Sequence, residues 1–271
     1  YRVRYTNTRM YLLNFERTME EIFRGENDSI SGNSILLGIR SKDVEYQTNE
    51  SGKVVTFVQE GELWSYNQEA NTLAKVFSFR GYEGVDDREN YGEHDIKIVN
   101  IDEAGSIDYI VYGYMNRGIH EGTVGIAVYH YDSLANTNEE QVFIPSSQSY
   151  EVMKSELGQL MYVTESGAFY IMVDGNVYGI DLNSLDTKVL VEGLSDEAVA
   201  ISESNRFLAW VDPSAGRGSD TIHMIDFVTE KVTDVTGSAS DYVKPLGFMQ
   251  EDFVYGVAKS ADVVVDAAGN T

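Results

Sequence analysis

The groups in this chain that could move a proton, hold a metal or activate a nucleophile are four histidines, His94, His120, His130 and His223, and 44 acidic residues. A serine nucleophile needs a strained elbow of the Gly-x-Ser-x-Gly kind, with a histidine and a carboxylate placed by the fold. The sequence contains no such elbow. His130 and His223 fall inside strand-like runs, where a histidine satisfied by its neighbours is the expectation. His94 and His120 fall in loops and can reach a site, but neither belongs to a His-Glu-x-x-His pattern.

Carboxylates gather at Asp86, Asp87, Glu89, Glu93 and Asp95, within a polar, glycine-rich stretch from Arg80 to His94. Hard oxygen ligands beside turn glycines suit calcium, for which Asp86, Asp87 and Glu93 are the candidate ligands. The spacing is not that of an EF-hand, and a solvated acidic loop accounts for the same residues. Paired carboxylates also serve glycoside hydrolysis, but with 44 acidic residues such pairs arise by chance. Tyrosine offers a broad rigid face and a polar tip suited to protein or sugar recognition. Tyr112 and Tyr114 share one face of a strand, where packing between sheets accounts for them. Tyr82 and Tyr91 flank the acidic loop. With His94, and with Arg117 and His120 of the loop Asn116–Gly122, they form the candidate ligand-binding surface.

Composition narrows the partners. Twenty basic residues against 44 acidic ones give a formal charge of −24, a field that disfavours nucleic acid and anionic lipid surfaces and favours cationic or protein partners. Without cysteine, neither disulfides nor thiolate zinc sites hold the fold. No apolar run is long enough to span a bilayer, and Tyr1–Tyr5 is no signal peptide. The chain starts at Tyr1 and stops at Thr271, just after a strand-like run. A domain of a longer protein is therefore expected, and the acidic, tyrosine-rich, cysteine-free composition is compatible with a secreted or surface-attached bacterial protein.

The elements that must position these groups are repeated. Glu50-Ser-Gly-Lys-Val-Val-Thr-Phe-Val-Gln-Glu-Gly-Glu-Leu-Trp-Ser-Tyr-Asn67 returns as Glu165-Ser-Gly-Ala-Phe-Tyr-Ile-Met-Val-Asp-Gly-Asn-Val-Tyr-Gly-Ile-Asp181. Each copy is a turn, an apolar run, a tight glycine turn and an alternating strand. Further groups fall at 95–144, 159–194 and 198–235, with a helix expected near Tyr150–Leu157. The last group shows only two strands, around Leu246–Phe248 and Asp252–Ala258. Arg9–Phe15 and Thr18–Phe23 read as two more, so either the ends of the chain pair to close a ring or blades are left open.

The Glu/Asp-x-Gly turn, the apolar strand, the second glycine turn and strands such as Leu-Trp-Ser-Tyr and Val-Tyr-Gly-Ile-Asp resemble the repeat of TolB-type β-propellers. The match is clearest at 50–79 and 165–191; Glu-Ser-Gly and Glu-Ala-Gly stand where that family usually has Ser-Pro-Asp-Gly. The resemblance implies an all-β propeller of about six four-stranded blades, spanning 1–271 as one domain. It also implies a choice among periplasmic binding proteins, substrate-gating domains of hydrolases and extracytoplasmic sensors, which fold alone does not make. The expectation is a non-catalytic binding or sensory module for a protein or peptide partner at the cell surface. A glycan-active or gating domain and a structural spacer are the alternatives.

Overall fold

The computed structural model describes residues 2–15, 23–25, 29–32, 34–36, 44–81, 86–157, 160–164, 166–212 and 219–263. The chain opens with a ladder of β1 (Arg2–Tyr5) and β2 (Met10–Asn14), followed by a short pair, β3 (Ile30–Ser31) and β4 (Ser34–Ile35). Four antiparallel sheets of four strands then follow in chain order. The first holds β5 (Tyr46–Thr48), β6 (Val54–Gln59), β7 (Glu62–Asn67) and β8 (Thr72–Phe77). The second holds β9 (His94–Ile101), β10 (Ile107–Tyr114), β11 (Val124–Asp132) and β12 (Thr137–Pro145). A seven-residue helix, α1 (Tyr150–Glu156), leads into the third: β13 (Met161–Val163), β14 (Ala168–Val173), β15 (Asn176–Asp181) and β16 (Thr187–Val191). The fourth is β17 (Val199–Ile201), β18 (Phe207–Trp210), β19 (Thr221–Asp226) and β20 (Lys231–Thr236); a two-stranded sheet of β21 (Asp241–Met249) and β22 (Asp252–Lys259) ends the series.

Successive sheets stack face to face, which makes the fold a β-propeller. The two-residue period of a strand sends alternate side chains to opposite neighbours. In β10, Tyr109 and Val111 join Leu63 and Val76 of the preceding sheet, whereas Ile110 joins Phe169 and Ile171 of the following one. In β14, Phe169, Ile171 and Val173 pack back while Tyr170 and Met172 pack forward against Leu208 and Phe227. Ala209 and Ile222 then meet Val243 of β21. A blade covered on both faces needs apolar residues at every position of its middle strands, as Tyr109-Ile-Val111 and Phe169-Tyr-Ile-Met-Val173 supply. α1 seats Met153 and Leu157 in the same core as Ile110 and Phe169.

Among the described residues, the ladders at the two ends of the chain belong to separate sheets. Thr18–Ile22 lies outside the described residues; β2 pairs with β1, and that ladder and the β21–β22 ladder are separate sheets. Among the described residues, four blades are complete and the blade begun by β21 has two strands.

Candidate functional site

The two candidate loops emerge at one end of the second blade. In the register of the sheet, Gly113 near the end of β10 faces His94 at the start of β9 and Gly125 at the start of β11. Loops 86–93 and 115–123 are therefore neighbours, as an antiparallel meander requires. Backbone bonds begin the join: the Tyr114 amide donates to the Glu93 carbonyl at 2.7 Å, and the 115–123 loop closes on itself through Met115 and Thr123. Asn116, 1% exposed, donates from Nδ2 to the Tyr91 carbonyl at 2.8 Å and the Glu89 carbonyl at 3.4 Å. Gly113 lies at φ +111°, and a Cβ there would stand 2.5 Å from the Glu93 carbonyl oxygen.

Charge completes it. Arg117 donates from Nη2 to Asp86 at 2.5 Å and Glu89 at 3.4 Å, and its Nη1 stands 3.6 Å from Glu121. Arg88 grips Asp86 through Nε and Nη2 and reaches Glu121 at 2.8 Å through Nη1. Each guanidinium thus spans carboxylates of both loops. Hydrogen bonds from Arg88, and then from Arg117, hold the Asp86 carboxyl well below the usual carboxylate range, and Asp86 raises both arginines in return. Asp86 is engaged by cations that the chain itself supplies, and Asp87 points its exposure to solvent beside it. Among the described residues, no group of three or more His, Asp or Glu side chains is arranged to hold a metal ion. Calcium coordination by Asp86, Asp87 and Glu93 would therefore require the arginines to let go.

The remaining candidate residues separate into buried and accessible. His94 is 8% exposed, with Nδ1 at 3.2 Å from the Tyr91 carbonyl, Nε2 at 3.3 Å from the Gly61 carbonyl and its ring edge-on to Phe79. Burial lowers its pKa, and with both nitrogens turned to backbone oxygens it ties the loop to the first blade rather than facing a ligand. His120 stacks on Phe143 at 3.7 Å and meets Glu140 at 2.7 Å, while the other oxygen of Glu140 accepts from the Tyr129 hydroxyl. Tyr91 is 44% exposed and rests edge-on against Tyr114 at 5.1 Å; desolvation, then Glu93, push its phenol up. Tyr82 lies outside the described residues. Ile119, at the tip of the second loop, is 86% exposed.

Sequence reading missed the latch formed by Arg88, Glu121 and Asn116; its one available signal was the alternation of opposite charges at Asp86/Arg88 and Arg117/Glu121. It also missed a clamp at the root of α1, where Asp95 Oδ2 accepts from the Tyr150 hydroxyl at 2.8 Å and meets Lys154 Nζ at 2.7 Å. The strand histidines are paired across their sheets, His130 with Asp108 at 2.7 Å and His223 with Asp234 at 2.8 Å. Among the described residues, the side-chain partners of His120, His130 and His223 are carboxylates.

No family model and no curated protein matches the chain. Among solved structures it is similar to the tricorn protease, at 19% identity and a TM-score of 0.35, over 73% of this chain and 17% of that one. It is similar to dipeptidyl peptidase 4 of Porphyromonas gingivalis at 11% identity and a TM-score of 0.37, over 86% and 39% respectively. For the WD40 domain of SCAP from fission yeast the values are 9%, 0.39, 84% and 67%. The chain spans less than half the length of the first two.

Proposed function

We propose that this propeller is a non-catalytic binding module, docking a protein or peptide partner on the blade end formed by loops 86–93 and 115–123. The observation that carries this reading is a pair of loops locked by their own ion pairs while holding Tyr91 and Ile119 in solvent. An aromatic and an aliphatic anchor on a rigid base is the arrangement of an interface centre, because little conformational entropy is lost on docking. Within the same proposal stand a TolB-type affiliation, resting on the Glu-Ser-Gly repeat, and a surface-attached, extracytoplasmic setting. No helix among the described residues is long and apolar enough to cross a membrane.

The test is partner capture by immobilised wild type against Tyr91→Ala, Ile119→Ala and a control, Val232→Ala, on the outer strand β20, where Val232 is 49% exposed. Truncating an anchor costs about 2 kcal/mol, roughly 30-fold in affinity. Partners that the control retains and both loop variants lose support the assignment. Equal retention by all four proteins rejects this face as the binding site.

A further inference from the structure

The blade end formed by loops 86–93 and 115–123 has a ring whose surroundings select the sign of what it can receive. Tyr91 and Tyr114 stand nearly perpendicular, at 82° with their centroids 5.1 Å apart, and Tyr91 is 44% exposed. The Tyr91 hydroxyl is hydrogen-bonded to the carboxylate of Glu93 in the same loop. The face of an aromatic ring carries the negative end of its quadrupole, and a carboxylate at the rim of the ring adds a full negative charge beside that face.

The cations nearby are already engaged. The two loops hold five carboxylates, Asp86, Asp87, Glu89, Glu93 and Glu121, against two guanidinium groups. Arg88 is taken up by Asp86 and Glu121, and Arg117 by Asp86 and Glu89. His120 is turned to Glu140, Lys154 of α1 to Asp95, and Arg80 to the buried Glu62. Asp87, which is exposed, and Glu93 therefore stand in surplus around the Tyr91 ring. An anionic partner would meet that surplus on a chain whose net charge is −24. A neutral one would strip water from the two carboxylates and return no counter-charge, which is costly.

We propose that this face receives a cationic side chain, an arginine or a lysine, carried by a basic peptide segment of the partner. The cation lies over the open face of Tyr91 and pairs with Glu93, Asp87 adds to the field that draws it in, and Ile119 covers apolar atoms beside it. This rests on the reading of the loop pair as the docking face and adds the chemistry of what docks there.

The probe is a fluorescein-labelled nonapeptide, Gly-Ser-Arg repeated three times, with Gly-Ser-Gln repeated three times as its neutral counterpart, both titrated by anisotropy at low ionic strength. Wild type should prefer the arginine peptide by about 10-fold or more. Tyr91→Ala and Glu93→Gln should each weaken it by roughly five-fold, the size of a cation–π contact or a single ion pair at an open site. Tyr91→Phe, which keeps the ring, should lose less than Tyr91→Ala. Glu203→Gln removes an exposed carboxylate from the β17–β18 turn, at the other end of a blade, and should leave the affinity unchanged. Equal losses for Glu93→Gln and Glu203→Gln would make the attraction a property of the whole acidic surface and overturn the proposal. Equal affinity for the two peptides, or no binding of the arginine peptide at millimolar concentration, overturns it as well. In the capture assay, partners lost by Ile119→Ala but kept by Glu93→Gln would leave the docking face standing and remove the cation from it.

Discussion

Gly113→Ala tests whether the loop pair is held by close backbone packing. At φ +111° the position is disfavoured for any side chain, and the new Cβ would lie 2.5 Å from the Glu93 carbonyl oxygen, 2.7 Å from Tyr150 Cδ2 and 2.9 Å from His94 Cα. The Tyr150 ring is buried and its hydroxyl is held by Asp95. The two backbone atoms cannot give way, because His94 is paired with Gly113 in the β9–β10 ladder and the Glu93 carbonyl accepts from the Tyr114 amide. A positive φ costs an alanine about 1–2 kcal/mol, and overpacking against fixed atoms adds about 1–3 kcal/mol, so a loss of about 3 kcal/mol is expected. Gly118→Ala separates the two contributions. Gly118 lies at φ +94° with nothing within 4 Å of its Cβ position, so that change should cost only the conformational part, about 1–2 kcal/mol. Urea unfolding of both variants beside wild type measures the difference. Limited proteolysis should in addition show new cleavage within 86–93 for Gly113→Ala alone. If Gly118→Ala proves equally or more destabilising, the close approach at Gly113 is not what fixes the loop.

Burial lowers the His94 pKa, so the folded state favours the neutral ring. The stability it contributes is present above the unfolded value of about 6.5 and is lost as pH falls below it, because the unfolded chain then binds the proton that the buried ring resists. Denaturation midpoints of wild type and His94→Gln should therefore converge between about pH 7 and pH 5, and divergence would contradict the sign. Ile110→Ala empties a fully buried position between the second and third blades, and should cost about 2–5 kcal/mol by chemical denaturation, against less than about 0.5 for the exposed Val232→Ala. Millimolar calcium should leave the melting temperature of wild type unchanged, because Asp86 is already held by Arg88 and Arg117; a rise that Asp86→Asn abolishes would restore a metal site at this loop.

What could be read from the sequence follows from how local its cause is. The copies at 50–67 and 165–181 coincide with β6–β7 and β14–β15 because a hairpin is written in consecutive residues: an apolar run, a glycine turn and an alternating run. The inner strand β5, three residues with alternate exposure, falls outside the expected groups, since Tyr46–Thr48 leaves too little pattern to count. β21 was read only from Leu246, because Pro245 interrupts the run; the strand accommodates it with a register shift between Pro245 and Gly247. The neighbourhood of the two loops was legible, the contacts of their side chains were not. Loop position told that 80–94 and 115–123 share a blade end, which is topology, and the register places the described parts of both there. Whether Arg117 faces a ligand or Asp86, and whether His94 is accessible or 8% exposed, depends on contacts across 31 and 33 residues of chain. Polar side chains in loops carry no periodicity that would report such burial. Sequence reasoning therefore treats every charged loop residue as available, whereas a loop long enough to fold on itself uses many of its charges to do so, as Asp86, Arg88, Arg117 and Glu121 do here.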